Sequence, residues 1–167
     1  FAPWGQGISV TPIQMLSAVN AIANGGVPTQ PHVRLDAEVA PMPRIISAEA
    51  AKTTVDIMVS VVTDGSGRSA QMDGFRVAGK TGTSQKVAEG RPGYKPGAYI
   101  SSFVGFFPAD EPRYSMLILI DEPQGAHYGV QVAAPVFKRV AERIIQNESI
   151  VDLRQSLSYA SDGASPR

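Results

Sequence analysis

Apolar residues recur at three- and four-residue spacing near both ends of this chain, and alternate with polar ones through its middle, so helical patterns flank a block of strand patterns. The first helix is predicted at Thr11-Pro12-Ile13-Gln14, where a hydroxyl N-cap, a proline in the first turn and a glutamine three places on make a capping box. Its apolar face steps through Ile13, Leu16, Val19 and Ala23, widened by Ala18, Ala21 and Ile22, and Asn24-Gly25-Gly26 stops it. Ser47 caps a second helix with Ala51, Val55, Met58, Val59 and Val62 on one face, ended by Thr63-Asp64-Gly65-Ser66-Gly67. Between them, residues 27–44 carry four prolines and read as extended or looped chain, with room for a short strand at His32-Val33-Arg34-Leu35.

Three strands are predicted next, Phe75 to Lys86, Ala98 to Phe107 and Tyr114 to Ile120. The Gly/Pro-rich stretch Val87 to Gly97 separates the first two and is expected to be a mobile flap. Only Pro108-Ala109-Asp110-Glu111-Pro112-Arg113 joins the last two, and a link that short permits antiparallel pairing alone, because parallel strands need a crossover of about a dozen residues. A final helix, about Val132 to Gln146, shows Val136, Phe137, Val140, Ile144 and Ile145 on one face and Lys138, Arg139, Glu142 and Arg143 on the other, so it should cover the sheet. The fold class is therefore α+β, an antiparallel sheet covered by helices.

At 167 residues and 43% apolar content the chain can bury one core, assigned to residues 1–150; residues 151–167 end in a small, polar run and are expected to form a flexible tail. Fifteen basic and fifteen acidic residues cancel, so no long-range field favours nucleic acid or an anionic membrane surface. There is no cysteine, and His32 and His127 stand far apart, which argues against disulfides, thiolate chemistry and a metal site; no cofactor is implied. No apolar run approaches the roughly 20 residues of a membrane span. The opening Phe1-Ala2-Pro3-Trp4-Gly5-Gln6-Gly7 reads like the middle of a fold, so the expectation is a C-terminal piece of a longer protein.

The chemistry concentrates at Val77-Ala78-Gly79-Lys80-Thr81-Gly82-Thr83, a lysine and two hydroxyls around a glycine on a predicted strand, which suits gripping an anion. Gly74 to Thr81 also satisfies G-x-x-x-x-G-K-[ST], the phosphate-cradling P-loop, and Leu117-Ile118-Leu119-Ile120-Asp121-Glu122 has the form of an apolar strand ending in a magnesium-holding acid. The context disfavours that reading. A P-loop needs a strand entering its first glycine and a helix leaving its Lys-Thr. Here a polar linker precedes Gly74, and Gly82, Gly90, Pro92, Gly93, Pro96 and Gly97 follow Thr81.

On a strand, Lys80-Thr81-Gly82-Thr83 resembles the Lys-Thr-Gly element of penicillin-binding proteins and serine β-lactamases. The segments Gly5 to Met15, Asn24-Gly25-Gly26, Val77 to Gln85, Phe103 to Pro108, Ile120 to Pro123 and Ala134 to Phe137 fall in the order and spacing of class B, high-molecular-mass penicillin-binding proteins, the D,D-transpeptidases of cell division or elongation. The resemblance covers about residues 4 to 146. It implies that the Thr83 N–H supplies half of an oxyanion hole, that Lys80 keeps the site positive and supports proton transfer, and that the Thr81 and Thr83 hydroxyls hold the terminal carboxylate of a donor peptide or a β-lactam. Gly82 would let the peptide backbone approach, Ser84 would line the same substrate-binding strand, and His127 and Tyr128 stand where the family places an aromatic pair near the cleft. Partners implied are peptidoglycan stem peptides, β-lactams, the upstream part of the same domain, and cell-wall or division proteins through the parent; the implied location is the extracytoplasmic face of the bacterial cytoplasmic membrane, through an upstream anchor.

Two departures are local: Ser84 stands where many relatives have alanine, and Val130 where a second glycine is common. A third is larger. The family's nucleophile lies in Ser-x-x-Lys and its second element is Ser-x-Asn, and neither pattern occurs in this sequence. The expectation is a parent D,D-transpeptidase whose serine lies upstream and a fragment inert on its own. The alternatives are a D,D-carboxypeptidase or β-lactamase on the same fold, or a non-catalytic β-lactam sensor. Each residue also has a plainer reading: a strand lysine is usually a solvated charge, His127 and Tyr128 would be loop packing, Asp121-Glu122 a strand end turning at Pro123, and Met15, Met58 and Met72 filler.

Overall fold

The computed structural model describes residues 8–147. Helix α1 spans Pro12–Ala23 and α2 spans Ala48–Thr63; a 3-10 turn at Arg68–Ala70 leads to strands β1 (Ala78–Val87), β2 (Tyr94–Phe107) and β3 (Tyr114–Asp121), and the short helix α3 (Gly129–Val132) precedes α4 (Ala134–Asn147). The expected tail and the Phe1 to Gly7 opening lie outside the described residues.

Both predicted N-caps form. Gln14 N–H donates to Thr11 Oγ1 at 3.3 Å while Thr11 N–H donates to Gln14 Oε1 at 2.8 Å, and Ala50 N–H donates to Ser47 Oγ at 3.1 Å. At the end of α1 the chain turns through Gly25 (φ 62°) and Gly26 (φ 94°), and Gly26 N–H closes on Ala21 O at 2.7 Å. Residues 27–44 contain no strand; Val33 and Leu35 are fully exposed, so the strand expected at His32 to Leu35 has nothing to pair with or pack on. Ile45 N–H returns to Gly26 O, and the Arg44 guanidinium donates to Gly25 O.

The sheet is antiparallel in the order β1-β2-β3. Its first strand starts later than the alternation suggested. Met72 and Phe75 form an isolated bridge across a turn in which Gly74 takes φ 78°, so Phe75 and Val77 precede the strand rather than belonging to it. Conversely, β1 and β2 run into the expected flap: Val87 pairs with Tyr94, Ala88 N–H donates to Gly93 O at 2.9 Å, and only residues 88–93 remain as the loop. No helix follows Lys80-Thr81, and the sheet has no parallel pair among the described residues, which removes the P-loop reading.

Each face of the sheet is covered at its Phe107 end. On one, Phe103 and Phe107 meet Phe137 of α4 edge-on, with ring centroids 4.8 and 5.8 Å apart, and Val62, Ala70, Met72, Ala133, Ala134 and Ala141 complete that core. On the other, Ala78 and Phe106 pack on Val19 of α1 and Met58 and Val59 of α2. The predicted final helix forms as α4, starting two residues later than expected: the short α3 ends at its C-cap Ala133, and α4 starts one residue before Pro135, which has no N–H to continue a helical ladder from α3. Within α4 the buried positions are Ala134, Phe137 and Ala141, while Val140 faces solvent.

Two facing glycines let β1 and β2 approach. Gly79 and Gly105 are register partners; a Cβ on Gly79 would overlap the Phe103 ring, and one on Gly105 would overlap the Ala78 carbonyl. The Phe103 ring occupies the space their missing side chains leave.

Candidate active site

The register of β1 on β2 sorts the candidate residues by face. Thr81 pairs with Phe103 and Thr83 with Ser101, on the face that carries α3 and α4; Lys80, Gly82 and Ser84 pair with Val104, Ser102 and Ile100, on the other. The two threonine hydroxyls are thus neighbours on one side of the strand, as an alternating strand requires.

Each hydroxyl is held. Thr83 Oγ1 accepts from the Gly129 N–H at 3.0 Å, and Thr81 Oγ1 lies 3.1 Å from Ser66 Oγ. The exposed Lys80 reaches round the strand: Nζ donates to the Thr81 carbonyl at 2.8 Å and stands 3.5 Å from Thr81 Oγ1. That carbonyl therefore faces the open edge of β1, away from β2. Backbone groups two residues apart share a side of a strand, so the Thr83 N–H faces the same open edge. Lys80 forms no ion pair with any carboxylate among the described residues, which leaves an uncompensated positive charge beside two hydroxyls and an unpaired strand edge.

Gly82 sits where α3 begins. A Cβ on Gly129 would fall 2.6 Å from Gly82 O, 3.2 Å from Gly82 N and into Ser102 O, so only a glycine lets the chain lie this flat on the β1–β2 pair. On the opposite face a Cβ at Gly82 would come 2.5 Å from Ser102 Oγ. The loop ahead of Gly129 is anchored by Ser101, buried, whose hydroxyl donates to the His127 carbonyl. His127 then stacks on Tyr99 at 4.1 Å between centroids, and Tyr128 leans on His127 at 4.5 Å with its own ring exposed.

The structure thus brings Lys80, Thr81 and Thr83 together and sets the His127–Tyr128 pair next to Thr83 through Gly129. Ser84 lies apart from the two hydroxyls, exposed on the other face. Three participants were not singled out by sequence: Ser66, Tyr99 and the Gly129 amide. No local pattern marks them, because each reaches the site only through tertiary contacts. Among the described residues no group of three or more His, Asp or Glu side chains could hold a metal ion. The strongest charge perturbation lies at the far end of the sheet, where Lys95 and then Lys86 hold the Glu122 carboxyl down at about 2, and Asp121 ahead of Glu122 raises Lys86.

A family profile described as "Penicillin binding protein transpeptidase domain" matches residues 1–142. Stage V sporulation protein D of Bacillus subtilis is 40% identical over 146 residues, 80% of this chain and 22% of that protein. The probable peptidoglycan D,D-transpeptidase PenA of Neisseria flavescens is 35% identical over 139 residues, 82% of this chain and 34% of its own length. Among solved structures, penicillin-binding protein 3 of Mycobacterium tuberculosis in its apo form superposes with a TM-score of 0.74 at 34% identity, over 89% of this chain and 37% of that one, and the same protein has been solved complexed with aztreonam and with ampicillin. The chain therefore spans between a fifth and two fifths of the length of these relatives. With its antiparallel sheet, its Lys-Thr-Gly-Thr edge strand and these matches along most of its length, the chain belongs to the transpeptidase-domain family of class B penicillin-binding proteins.

Proposed function

We propose that this chain is the carboxylate- and oxyanion-binding side of a peptidoglycan D,D-transpeptidase. The observation that carries the proposal is the open edge of β1, where Lys80, the Thr81 and Thr83 hydroxyls and the outward Thr83 N–H cluster and Lys80 forms no ion pair among the described residues. An extended peptide can add to such an edge as a further strand. Its terminal carboxylate would be held by the two hydroxyls and the Lys80 charge. The carbonyl under attack would point its developing negative charge at the Thr83 N–H, a donor worth about 3 kcal/mol in acyl transfer.

In this mechanism a serine attacks the penultimate peptide carbonyl of a D-Ala-D-Ala stem and the terminal D-alanine leaves with a proton. A neighbouring stem's amine then displaces the serine, re-forming a peptide bond. The serine belongs to a segment outside this sequence, since neither Ser-x-x-Lys nor Ser-x-Asn occurs in it. The chain alone should be inert. A β-lactam would enter the same edge through its own carboxylate. The substrate lies outside the cytoplasm, so the domain would work on the extracytoplasmic face of the cytoplasmic membrane; no described helix is long and apolar enough to cross it, and the anchor would come from elsewhere in the protein.

The test is the intact mass of the full-length protein and of this chain after incubation with a penicillin. One covalent adduct on the full-length protein and none on the chain is the expected result. No adduct on either removes the acyl-transfer reading. Rapid release of hydrolysed penicillin would indicate a β-lactamase, release of D-alanine without cross-linked product a carboxypeptidase, and a stable adduct without turnover of any stem peptide a sensor.

A further inference from the structure

Asp121 and Glu122 close β3 without contacting the Lys80 to Thr83 cluster. Three observations meet at Glu122. Its backbone takes φ 46°, which makes it the only non-glycine residue in the left-handed region among those described. Its carboxylate lies between lysines from two strands, 2.9 Å from Lys86 Nζ of β1 and 2.8 Å from Lys95 Nζ of β2. Its N–H donates to the Tyr99 carbonyl of β2 at 2.8 Å, one step beyond the last register pair, Ile100 with Asp121. Lys86 also reaches both Asp121 carboxylate oxygens, at 2.9 and 3.0 Å, so charges from all three strands converge on one point.

That point is where β3 stops and its neighbours continue. Past Asp121, β1 and β2 run on as a two-stranded ribbon, pairing Gln85 with Tyr99 and Val87 with Tyr94, and the register slips between Gln85 and Val87, where Lys86 sits. A bare two-stranded ribbon is marginal in water. Val87 is 70% and Tyr94 48% exposed, so apolar packing reaches only the inner end of this one, at Ala98 and Tyr99, and does not secure its outer end. An isolated surface ion pair would do little. Here, however, one carboxylate is shared by two strands, and the residue providing it adopts a backbone conformation that glycine would take more readily.

We infer that Glu122 is a positioning residue that clasps the β1–β2 ribbon to the end of β3. The clasp keeps Ser84 to Val87 in line with Lys80 to Thr83, and Tyr99 seated against His127. A long peptidyl donor then meets one straight edge; this consequence rests on the transpeptidase reading, whereas the clasp itself does not.

Hydrogen exchange of the full-length protein tests it. Glu122→Gln should raise exchange across residues 84–99 about five- to tenfold and leave residues 103–107 and α4 unchanged. Glu122→Gly, which suits φ 46° better, should loosen the ribbon equally. Lys95→Met added to Glu122→Gln should contribute little more. A ribbon as protected in Glu122→Gly as in the parent, or exchange altered evenly across the sheet or not at all, overturns the clasp. In acylation kinetics, Glu122→Gln should weaken initial binding of a peptidyl donor about threefold or more and leave the chemical step alone. A slower chemical step, or unaltered binding beside a loosened ribbon, overturns the positioning role. A parent that is not acylated at all refutes the transpeptidase reading, and the exchange data still decide the clasp.

Discussion

The Thr83 hydroxyl accepts the Gly129 N–H at 3.0 Å, a bond between the edge strand and the first residue of α3, 46 positions apart. It fixes the hydroxyl by its acceptor side and leaves its proton free to donate to a carboxylate. The same bond satisfies the amide of a buried residue. Thr83→Val keeps the shape but orphans that amide, so it should destabilise the fold by about 1–3 kcal/mol, whereas Thr83→Ser should cost well under half of that. Urea unfolding of the two variants checks the difference; equal losses would mean the bond contributes nothing.

Lys80 is the reverse case. It is exposed and its contacts are with the strand it belongs to, so Lys80→Met should change the unfolding free energy little, by no more than about 0.5 kcal/mol. In the full-length protein the same change should slow acylation by a penicillin about a hundredfold or more, since the positive charge that would hold the ligand's carboxylate and support proton transfer is lost. The rate of adduct formation by mass is the measurement. Near-parent acylation would return Lys80 to an ordinary surface lysine.

Much of this is legible in the sequence, and the reason is local physics. Thr11 and Ser47 announce their helices because a hydroxyl and the amide it caps lie within one turn of chain. The connection through Pro108 to Arg113 announces antiparallel pairing because its length forbids the alternative. The failures are equally physical. Phe75 and Val77 alternate as strand residues do, yet Gly74 folds the chain back so that Phe75 bridges Met72. The lone apolar pair Val33 and Leu35 met no partner surface. Ser66, fifteen residues before Thr81, and Glu122, reached by lysines at 86 and 95, carry no local signature, because only the assembled sheet puts them in contact.

Gly79 tests how tightly the edge strand is set. Its absent side chain is the space the Phe103 ring fills, and that ring is fully buried against Phe137. Gly79→Ala should therefore cost about 1–3 kcal/mol through overpacking. Phe137→Ala removes the ring that covers both Phe103 and Phe107, and should cost about 3–5 kcal/mol. If Gly79→Ala unfolds at the parent's urea concentration, the β1–β2 spacing is looser than described.

Acid should weaken the far end of the sheet first. Lys95, and next Lys86, lower the Glu122 carboxyl from an ordinary 4.5 to about 2. A group whose folded value lies below its unfolded one binds protons more readily in the unfolded chain, so its contribution to stability is complete above about pH 5 and fades as pH falls toward 2. Lys86, which also holds Asp121, is raised above its usual value and stays charged throughout that window. Asp36, lowered beside Arg34, also loses its contribution as pH falls, but it lies in the exposed segment before α2 and is untouched by changes at Glu122. Glu122→Gln should accordingly be less stable than the parent at pH 7, and the gap should close as the pH is taken to 2. Urea midpoints at pH 7, 5 and 3 would show it. Two lines falling in parallel would mean that the Glu122 charge is solvated alike in the folded and unfolded chain, and that its two lysines hold it in geometry only.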